Sequence, residues 1–155
     1  MGKRLRLERL DEARLPLLQS WFADAELDRW IDYPAPSWYE YVTKQPASYP
    51  CMAYEESEPG GFVHYGTKPD GTVSFSYYVR PDLRGHGYGR RLLLAMLDAP
   101  ELTGVDDVWC GVHPDNVASL RCLAAAGFLH VELYPGDPSM LKASLSGQGS
   151  ARGGV

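Results

Sequence analysis

Glycines at every second position form the part of this sequence best suited to binding chemistry. Residues 84–89 read Arg-Gly-His-Gly-Tyr-Gly, and a predicted helix with the apolar run 92–97 follows at once. Glycine lets the backbone approach a ligand without interference from side chains, and the first N–H groups of a helix have no partner inside the helix. These features together predict a loop that binds phosphate.

Two familiar phosphate-binding motifs do not fit this loop. A P-loop requires Lys and then Ser or Thr after its last glycine, where this chain has Arg90 and Arg91. A dinucleotide fingerprint requires its third glycine at position 90, and the acidic residues Asp106 and Asp107 further along do not repair that mismatch. Both nucleotide-binding classes are therefore excluded for the loop.

A second pattern lies further along the chain. Residues 108–128 read as a buried strand, a Pro-Asp turn and a short helix that ends at Gly127, before Phe128. Asn116 and Ser119 stand at the start of that helix, in the spacing Asn-x-x-Ser. Asparagine also favours helix caps and turns, so a capping role for Asn116 is compatible with a binding role.

Together the two patterns resemble the GNAT superfamily of acetyl-CoA-dependent N-acetyltransferases. Its pyrophosphate loop, Arg/Gln-x-x-Gly-x-Gly/Ala, is filled by Arg84, Gly87 and Gly89, and its second signature, Asn-x-x-Ala/Ser, helix, Gly-Phe, is filled within 116–128. The resemblance covers about residues 4–145 and implies acetyl-CoA as the acyl donor. The aminoglycoside 6'-N-acetyltransferase and ribosomal-protein N-acetyltransferase branch is similar in the order Trp21-Phe22, Arg29-Trp30 and, later, Arg121-Cys122 and Ala126-Gly127-Phe128.

The resemblance also implies where acetyl-CoA binds. The strand before the glycine loop and the strand after its helix splay apart in this fold, and the pantetheine arm lies between them. A backbone N–H at a bulge in the first of these strands would face the thioester. The side chains of Arg84 and Arg90 either contact the pyrophosphate or remain solvated. The expected contacts are Tyr78, Val79, Arg84, Gly85, His86, Gly87, Tyr88, Gly89, Arg90, Asn116 and Ser119.

The sequence departs from the family where protons are transferred. Many relatives carry a general-acid Tyr seven residues after the motif Asn, where this chain has Leu123. Many also carry a Glu base on the strand before the loop, where residues 72–79 contain no carboxylate. The catalytic residues are therefore unassigned, and His64, Tyr77 and Tyr78 are the candidates by placement. A half-buried strand histidine is the alternative interpretation of His64.

The expected acceptor is a primary amine on a small cationic molecule. Residues 21–41 are rich in aromatic and acidic side chains, and both kinds bind cations. The acidic ones are Asp24, Glu26, Asp28, Asp32 and Glu40, which alternatively form only a solvated helix face. A peptide N-terminus is the alternative acceptor. A non-catalytic acyl-CoA-binding module is the alternative class, because the usual Tyr and Glu are missing.

Composition limits the other function classes. The chain has 155 residues, 45% of them hydrophobic, and this size and composition predict one domain over residues 1–145. The Gly/Ser-rich tail over residues 146–155 is predicted to be disordered. A net charge of −5 argues against nucleic acid, and no apolar run is long enough to span a membrane. The four histidines lack metal-ligand spacing, so no metal is predicted. Three cysteines without a Cys-x-x-Cys pair predict reduced thiols in a cytoplasmic protein. A monomer or homodimer is expected.

The hydrophobic pattern and the resemblance predict the GNAT fold, an α/β (α+β) architecture. It has a mixed, mostly antiparallel sheet of about seven strands, splayed between the fourth and fifth, and about four helices. The first strand lies around Leu5 and Leu7, and a helix follows from Asp11 to Phe22. Further helices are predicted at 25–31, 37–44, up to about 98, and 117–126, and further strands at 49–55, 61–67, 72–79, 107–112, 129–134 and 139–143.

Overall fold

The computed structural model describes residues 4–145, which form one seven-stranded sheet with helices on both faces. The strands are ordered β1-β2-β3-β4-β5-β7-β6, and all neighbours are antiparallel except the parallel pair β4 and β5. The strands are β1 Arg6–Arg9, β2 Ser48–Glu55, β3 Glu58–Thr67, β4 Val73–Val79, β5 Val108–Val112, β6 His130–Tyr134 and β7 Asp137–Ser144. The helices are α1 Leu15–Ser20, α2 Ala25–Trp30, α3 Pro36–Lys44, α4 Tyr88–Leu97 and α5 Val117–Ala125.

The predicted fold class is confirmed, with a correction to the helices. Residues 4–145 contain five α-helices, one for each of the five helical segments predicted along the chain. The helix predicted from Asp11 to Phe22 is divided into the 3-10 turn Glu12–Arg14, α1 and the 3-10 turn Trp21–Ala23. Pro16 stands in the first turn of α1, where its missing N–H costs no helical hydrogen bond. The predicted disordered tail lies outside the described residues.

Two hydrophobic cores lie on opposite faces of the sheet. Leu92, Leu93 and Met96 of α4 and Leu123 of α5 belong to the first core, whereas α1 and α2 contribute to the second. Side chains alternate along each strand, so β4 sends Phe75 into the first core and Tyr78 into the second. Cys51, Cys110 and Cys122 are free thiols in this structure.

Strands β4 and β5 diverge after a short parallel contact. They pair only at Val73 with Val108 and at Ser74 with Trp109, and beyond these residues β5 pairs with β7 alone. The divergence leaves a cleft between residues 75–79 of β4 and 110–112 of β5, as the splayed fold requires. We call this space the cleft.

The Gly-Phe pair after α5 closes the first core beside the cleft. Gly127 has φ +102°, a conformation that glycine adopts without strain, and the N–H of Phe128 then donates to the Leu123 carbonyl at 2.9 Å. Phe128 is 1% exposed, and its ring lies 5.2 Å from that of Phe75 on β4. This contact packs the end of α5 against the strand that borders the cleft.

Candidate active site

The backbone of β4 presents hydrogen-bonding groups to the cleft. Residues of a strand alternate in the direction of their N–H and C=O groups, and Arg80 N–H donates to Gly60 on β3 whereas Val73 N–H donates to Asp107 on the β5 side. By this alternation the backbone N–H and C=O groups of Phe75, Tyr77 and Val79 point into the cleft. Those of Tyr78 point to β3. The register therefore favours Tyr77 and Val79 over Tyr78 as backbone partners of a pantetheine amide.

The expected bulge in β4 is absent from its pairing with β3. The register runs without a shift from Gly61 opposite Val79 to Thr67 opposite Val73. An N–H that faces the thioester must therefore come from the regular, cleft-facing residues of β4, because no extra residue turns another N–H outward.

The glycine loop has the geometry of an anion site. Gly85 and Gly87 have φ of +78° and +77°, and a Cβ built on either one would meet no atom within 4 Å. Gly87 is the N-cap of α4, no side chain caps that helix, and its first i to i−4 hydrogen bond runs from Arg91 N–H to the Gly87 carbonyl. The N–H groups that precede this bond are therefore suited to a pyrophosphate.

Two residues of the loop, Tyr88 and Gly89, face the interior of the protein. Tyr88 is buried, and its hydroxyl donates to the Ala53 carbonyl at 3.3 Å. A Cβ on Gly89 would lie 2.7 Å from Cys122 Sγ, so this glycine allows α4 to pack closely on α5. Of the predicted contacts, Tyr88 and Gly89 can therefore offer only their backbone N–H groups.

The two predicted arginines already have protein partners. Arg84 Nη2 lies 2.6 Å from Asp24 Oδ2, an ion pair that reaches from the glycine loop to the start of α2. Arg90 Nε donates to the Ala125 carbonyl at the end of α5, at 3.3 Å. Each guanidinium has five N–H donors, so these contacts leave others for a phosphate. His86 is exposed on the same loop.

The start of α5 brings Asn116, Ser119 and Tyr77 together. Asn116 caps the helix, because its Oδ1 accepts from Ser119 N–H at 3.2 Å. Ser119 Oγ lies 2.8 Å from the Tyr77 hydroxyl, a hydrogen bond that joins α5 to β4. Burial, with a smaller effect of Cys122, raises the pKa of Tyr77, so its phenol stays protonated near neutral pH.

Tyr77 and Tyr78, both candidates for catalysis, point to opposite faces of the sheet. The ring of Tyr78 packs between Phe22 and Phe62, with centroids at 5.4 and 5.1 Å, and burial raises the pKa of its phenol. Its hydroxyl makes no hydrogen bond to any residue from 4 to 145. Leu123, where many relatives have Tyr, is 1% exposed in the first core. Of the two tyrosines, Tyr77 is therefore the one whose hydroxyl reaches α5.

His64 lies one strand away from the cleft. It pairs with Ser76 of β4 in the β3–β4 register, its Nε2 lies 2.8 Å from Ser48 Oγ, and its ring meets that of Trp38. Burial lowers the pKa of His64, and the positive charges of Arg9 and Lys68 lower it further. The half-buried strand histidine foreseen as the alternative describes this position.

We expect acid to destabilise the protein through His64. Its folded pKa lies below 6.5, so the unfolded chain takes up a proton first, and the free energy of unfolding falls as pH drops below about 6.5. The melting temperature of His64→Gln should fall less than that of wild type between about pH 7.5 and about pH 5.5. His130→Gln, at an exposed position, should keep the wild-type slope. Equal slopes in all three proteins would refute this origin.

A second cavity borders the cleft on the face opposite α4 and α5. It has a volume of about 380 Å³, and Ser74, Trp109 and Tyr134 are among its walls. The rings of Trp109 and Tyr134 lie 5.7 Å apart, and Lys142 Nζ lies 4.9 Å from the centre of the Trp109 ring. This aromatic cavity was not predicted, because its walls come from strands that are distant in sequence.

The acidic residues near α2 divide into paired and unpaired ones. Asp24 is paired with Arg84, and Glu26 lies 3.7 Å from Arg29. Asp28 and Asp32 form no ion pair within residues 4–145 and are exposed. The cluster therefore has less unpaired negative charge than its sequence indicates.

Helix α2 also meets the loop after β5. The ring of Trp30 lies 5.3 Å from that of His113, and Arg29 lies 4.3 Å above Trp30. Neither the Trp30–His113 contact nor the Arg84–Asp24 pair was predicted, since residues so distant in sequence carry no local signal. Among residues 4–145 no three His, Cys, Asp or Glu side chains are grouped to hold a metal, and no helix there could cross a membrane.

Comparisons with known proteins agree with this geometry. The sequence profile described as Acetyltransferase (GNAT) family matches residues 15–128, and the chain belongs to that family. An uncharacterized N-acetyltransferase of Bacillus subtilis, YfmK, is 29% identical over 138 residues, which cover 88% of this chain and 93% of that protein. The L-amino acid N-acyltransferase MnaT of Escherichia coli is 34% identical over 64% of this chain and 60% of that protein.

Solved structures support the fold. Aminoglycoside acetyltransferase AAC(6')-Ib in complex with coenzyme A and kanamycin superposes with a TM-score of 0.76 at 19% identity, over 97% of this chain and 99% of that chain. The family and its N-acetyltransferase relatives make the protein an acetyl-CoA-dependent N-acetyltransferase.

Proposed function

We propose that this enzyme transfers acetyl to the primary amine of a small molecule, with acetyl-CoA held between the glycine loop and β4. The observation that carries the proposal is the combination of an uncapped α4 N-terminus with the cleft beside it. The loop offers backbone N–H groups to the pyrophosphate, and Tyr77 and Val79 offer backbone groups to the pantetheine arm. This arrangement accounts for both motifs that the sequence contains.

The chemistry of the transfer requires two proton movements. The neutral amine attacks the thioester carbonyl, an amide bond forms, the C–S bond breaks, the nitrogen loses a proton and the CoA sulfur gains one. Tyr77 is the candidate donor to the sulfur, because its protonated phenol reaches the start of α5 and Ser119 fixes its direction. Water is the candidate acceptor of the amine proton, since β4 carries no carboxylate.

The acceptor we favour carries positive charge in addition to its reacting amine. Asp28 and Asp32 are exposed and have no ion-pair partner among residues 4–145, and Trp30 and Tyr33 provide aromatic surface on the same segment.

An amino acid is the second candidate acceptor. Lys68 lines the cavity beside the cleft, and Lys142 lies over its Trp109 wall, so a carboxylate near the amine would find cations there. MnaT, described as an L-amino acid N-acyltransferase, is a relative of this chain. This candidate predicts the opposite charge preference.

A panel of amines with acetyl-CoA, followed by release of free thiol, separates the two candidates. We expect polyamines and aminoglycosides to react faster than neutral amines at low ionic strength. Their advantage should shrink as salt is raised, because exposed charges are screened over about 8 Å at physiological ionic strength. Faster reaction of amino acids would select the second candidate, and reaction of peptides alone would select a protein N-terminus. Absence of thiol release with every amine would contradict the proposal.

A further inference from the structure

Helix α2 contacts the segments that follow the C-terminal ends of the two diverging strands, β4 and β5. Its N-cap residue Asp24 pairs with Arg84 in the loop that follows β4, and its last residue Trp30 packs on His113, the first residue after β5. The helix has six residues, so it extends about 9 Å, roughly twice the spacing of paired strands. It is therefore long enough to reach across the open end of the cleft.

We infer that α2 is a strap across the cleft, and that Asp24 is a positioning residue through which bound acetyl-CoA orders the acceptor side. The inference rests on the proposed binding of the pyrophosphate to the glycine loop. Arg84 stands immediately before that loop, and the five-donor guanidinium can contact Asp24 and a phosphate oxygen at the same time. A phosphate that fixes Arg84 also fixes the Asp24 carboxylate.

Asp24 connects the ion pair to helix α2. Its Oδ2 accepts from Leu27 N–H at 3.0 Å, so the carboxylate that pairs with Arg84 also caps α2. Arg84 and the Leu27 N–H together lower the pKa of Asp24, which keeps the carboxylate charged at neutral pH. The pair is partly exposed, with 41% of the Arg84 side chain and 29% of the Asp24 side chain accessible, so its contribution to folding stability is small. Its role is then to hold α2 over the cleft.

The choice of variant separates the ion pair from the helix cap. Asn is as good an N-cap as Asp, so Asp24→Asn removes the charge and retains the cap. Asp11→Asn makes the same change at another cap, where Asp11 accepts from Arg14 N–H at 2.9 Å and forms no ion pair within residues 4–145. The two variants should have melting temperatures close to that of wild type.

The strap predicts a split between the two substrates. At saturating acetyl-CoA, Asp24→Asn should raise the KM of the acceptor about 5- to 10-fold, at the low end of usual coupling between sites, and change kcat little. The Kd of acetyl-CoA should change by less than about twofold, because the loop N–H groups remain. Asp11→Asn should leave all three constants unchanged.

A double-variant cycle with Arg84→Gln tests whether the pair itself is responsible. In the Arg84→Gln background, Asp24→Asn should cause no further rise in the acceptor KM, since its partner is already missing. An equal rise in both backgrounds, or an unchanged acceptor KM in Asp24→Asn, would overturn the strap. Loss of acetyl-CoA binding in Gly87→Asp, measured beside these variants, tests the proposed loop site separately. If Gly87→Asp binds acetyl-CoA normally, that site is wrong, and the strap, which depends on it, is wrong too.

Discussion

Gly87→Asp is expected to weaken acetyl-CoA binding at least about 100-fold. A carboxylate at the N-cap of α4 would accept the helix N–H groups that we assign to the pyrophosphate, and it would repel the phosphates. Two like charges about 4 Å apart near a protein surface repel each other by about 4 kcal/mol, which exceeds the roughly 2.7 kcal/mol that a factor of 100 requires. Calorimetric titration with acetyl-CoA measures the change directly.

Gly87→Asn is the matched control for this variant. Asn has nearly the same size as Asp, it also tolerates the positive φ of Gly87, and it also caps helices, but it has no charge. We expect its affinity to lie between those of wild type and Gly87→Asp. Saturating acetyl-CoA, at 100 times its Kd, should stabilise wild type by about 2.7 kcal/mol and Gly87→Asp hardly at all. Equal affinities in all three proteins would remove the glycine loop from the binding site.

Tyr77→Phe is expected to lower kcat about 100-fold while acetyl-CoA binding stays the same. A positioned general acid contributes about 10² to 10⁴ in rate, and the low end applies here because a thiol with a pKa of about 8.5 is a tolerable leaving group without a proton. The Phe variant keeps the ring of Tyr77 and loses its hydrogen bond to Ser119. That loss costs about 1 kcal/mol of stability, too little to unfold the protein.

Tyr78→Phe is the neighbouring control, because the ring of Tyr78 packs against Phe22 and Phe62 on the other face of the sheet. We expect it to keep kcat within about threefold of wild type, and Ser119→Ala to show a smaller defect than Tyr77→Phe. A wild-type kcat in Tyr77→Phe would mean that the thiolate leaves unprotonated. The rate of acetyl transfer should then rise toward alkaline pH as the acceptor amine loses its proton.

Local patterns predicted the glycine loop and the elements around it well. Alternation defined β3 and β4, and glycine marked the start of α4 and the end of α5, because these signals depend only on neighbours in the chain. The sequence did not predict that the first helix is divided into three short segments. The two 3-10 turns and α1 share one helical periodicity of apolar residues, so the pattern indicates a single helix. Asn116 was predicted as both a cap and a ligand, and the structure gives direct support only to the cap.

Contacts between distant residues were beyond sequence reasoning. Arg84 and Asp24 are 60 positions apart, and no periodicity relates them. The same is true of Tyr77 and Ser119, whose hydrogen bond depends on how α5 lies against β4. Both pairs were named among candidate residues for separate reasons, and only the fold assigns them to each other. The sequence overestimated the unpaired negative charge near α2, because ion pairs such as those of Asp24 and Glu26 cannot be predicted from a list of charged residues.

The short parallel contact between β4 and β5 also bears on solubility. Beyond Ser74 the cleft-facing groups of β4 form a strand edge inside the sheet, and unpaired edges are the places where β-proteins associate with other chains. A pantetheine arm that bonds to Tyr77 and Val79 would cover that edge as a neighbouring strand would. Bound acetyl-CoA would then protect this edge from association with other chains, in addition to supplying the acetyl group.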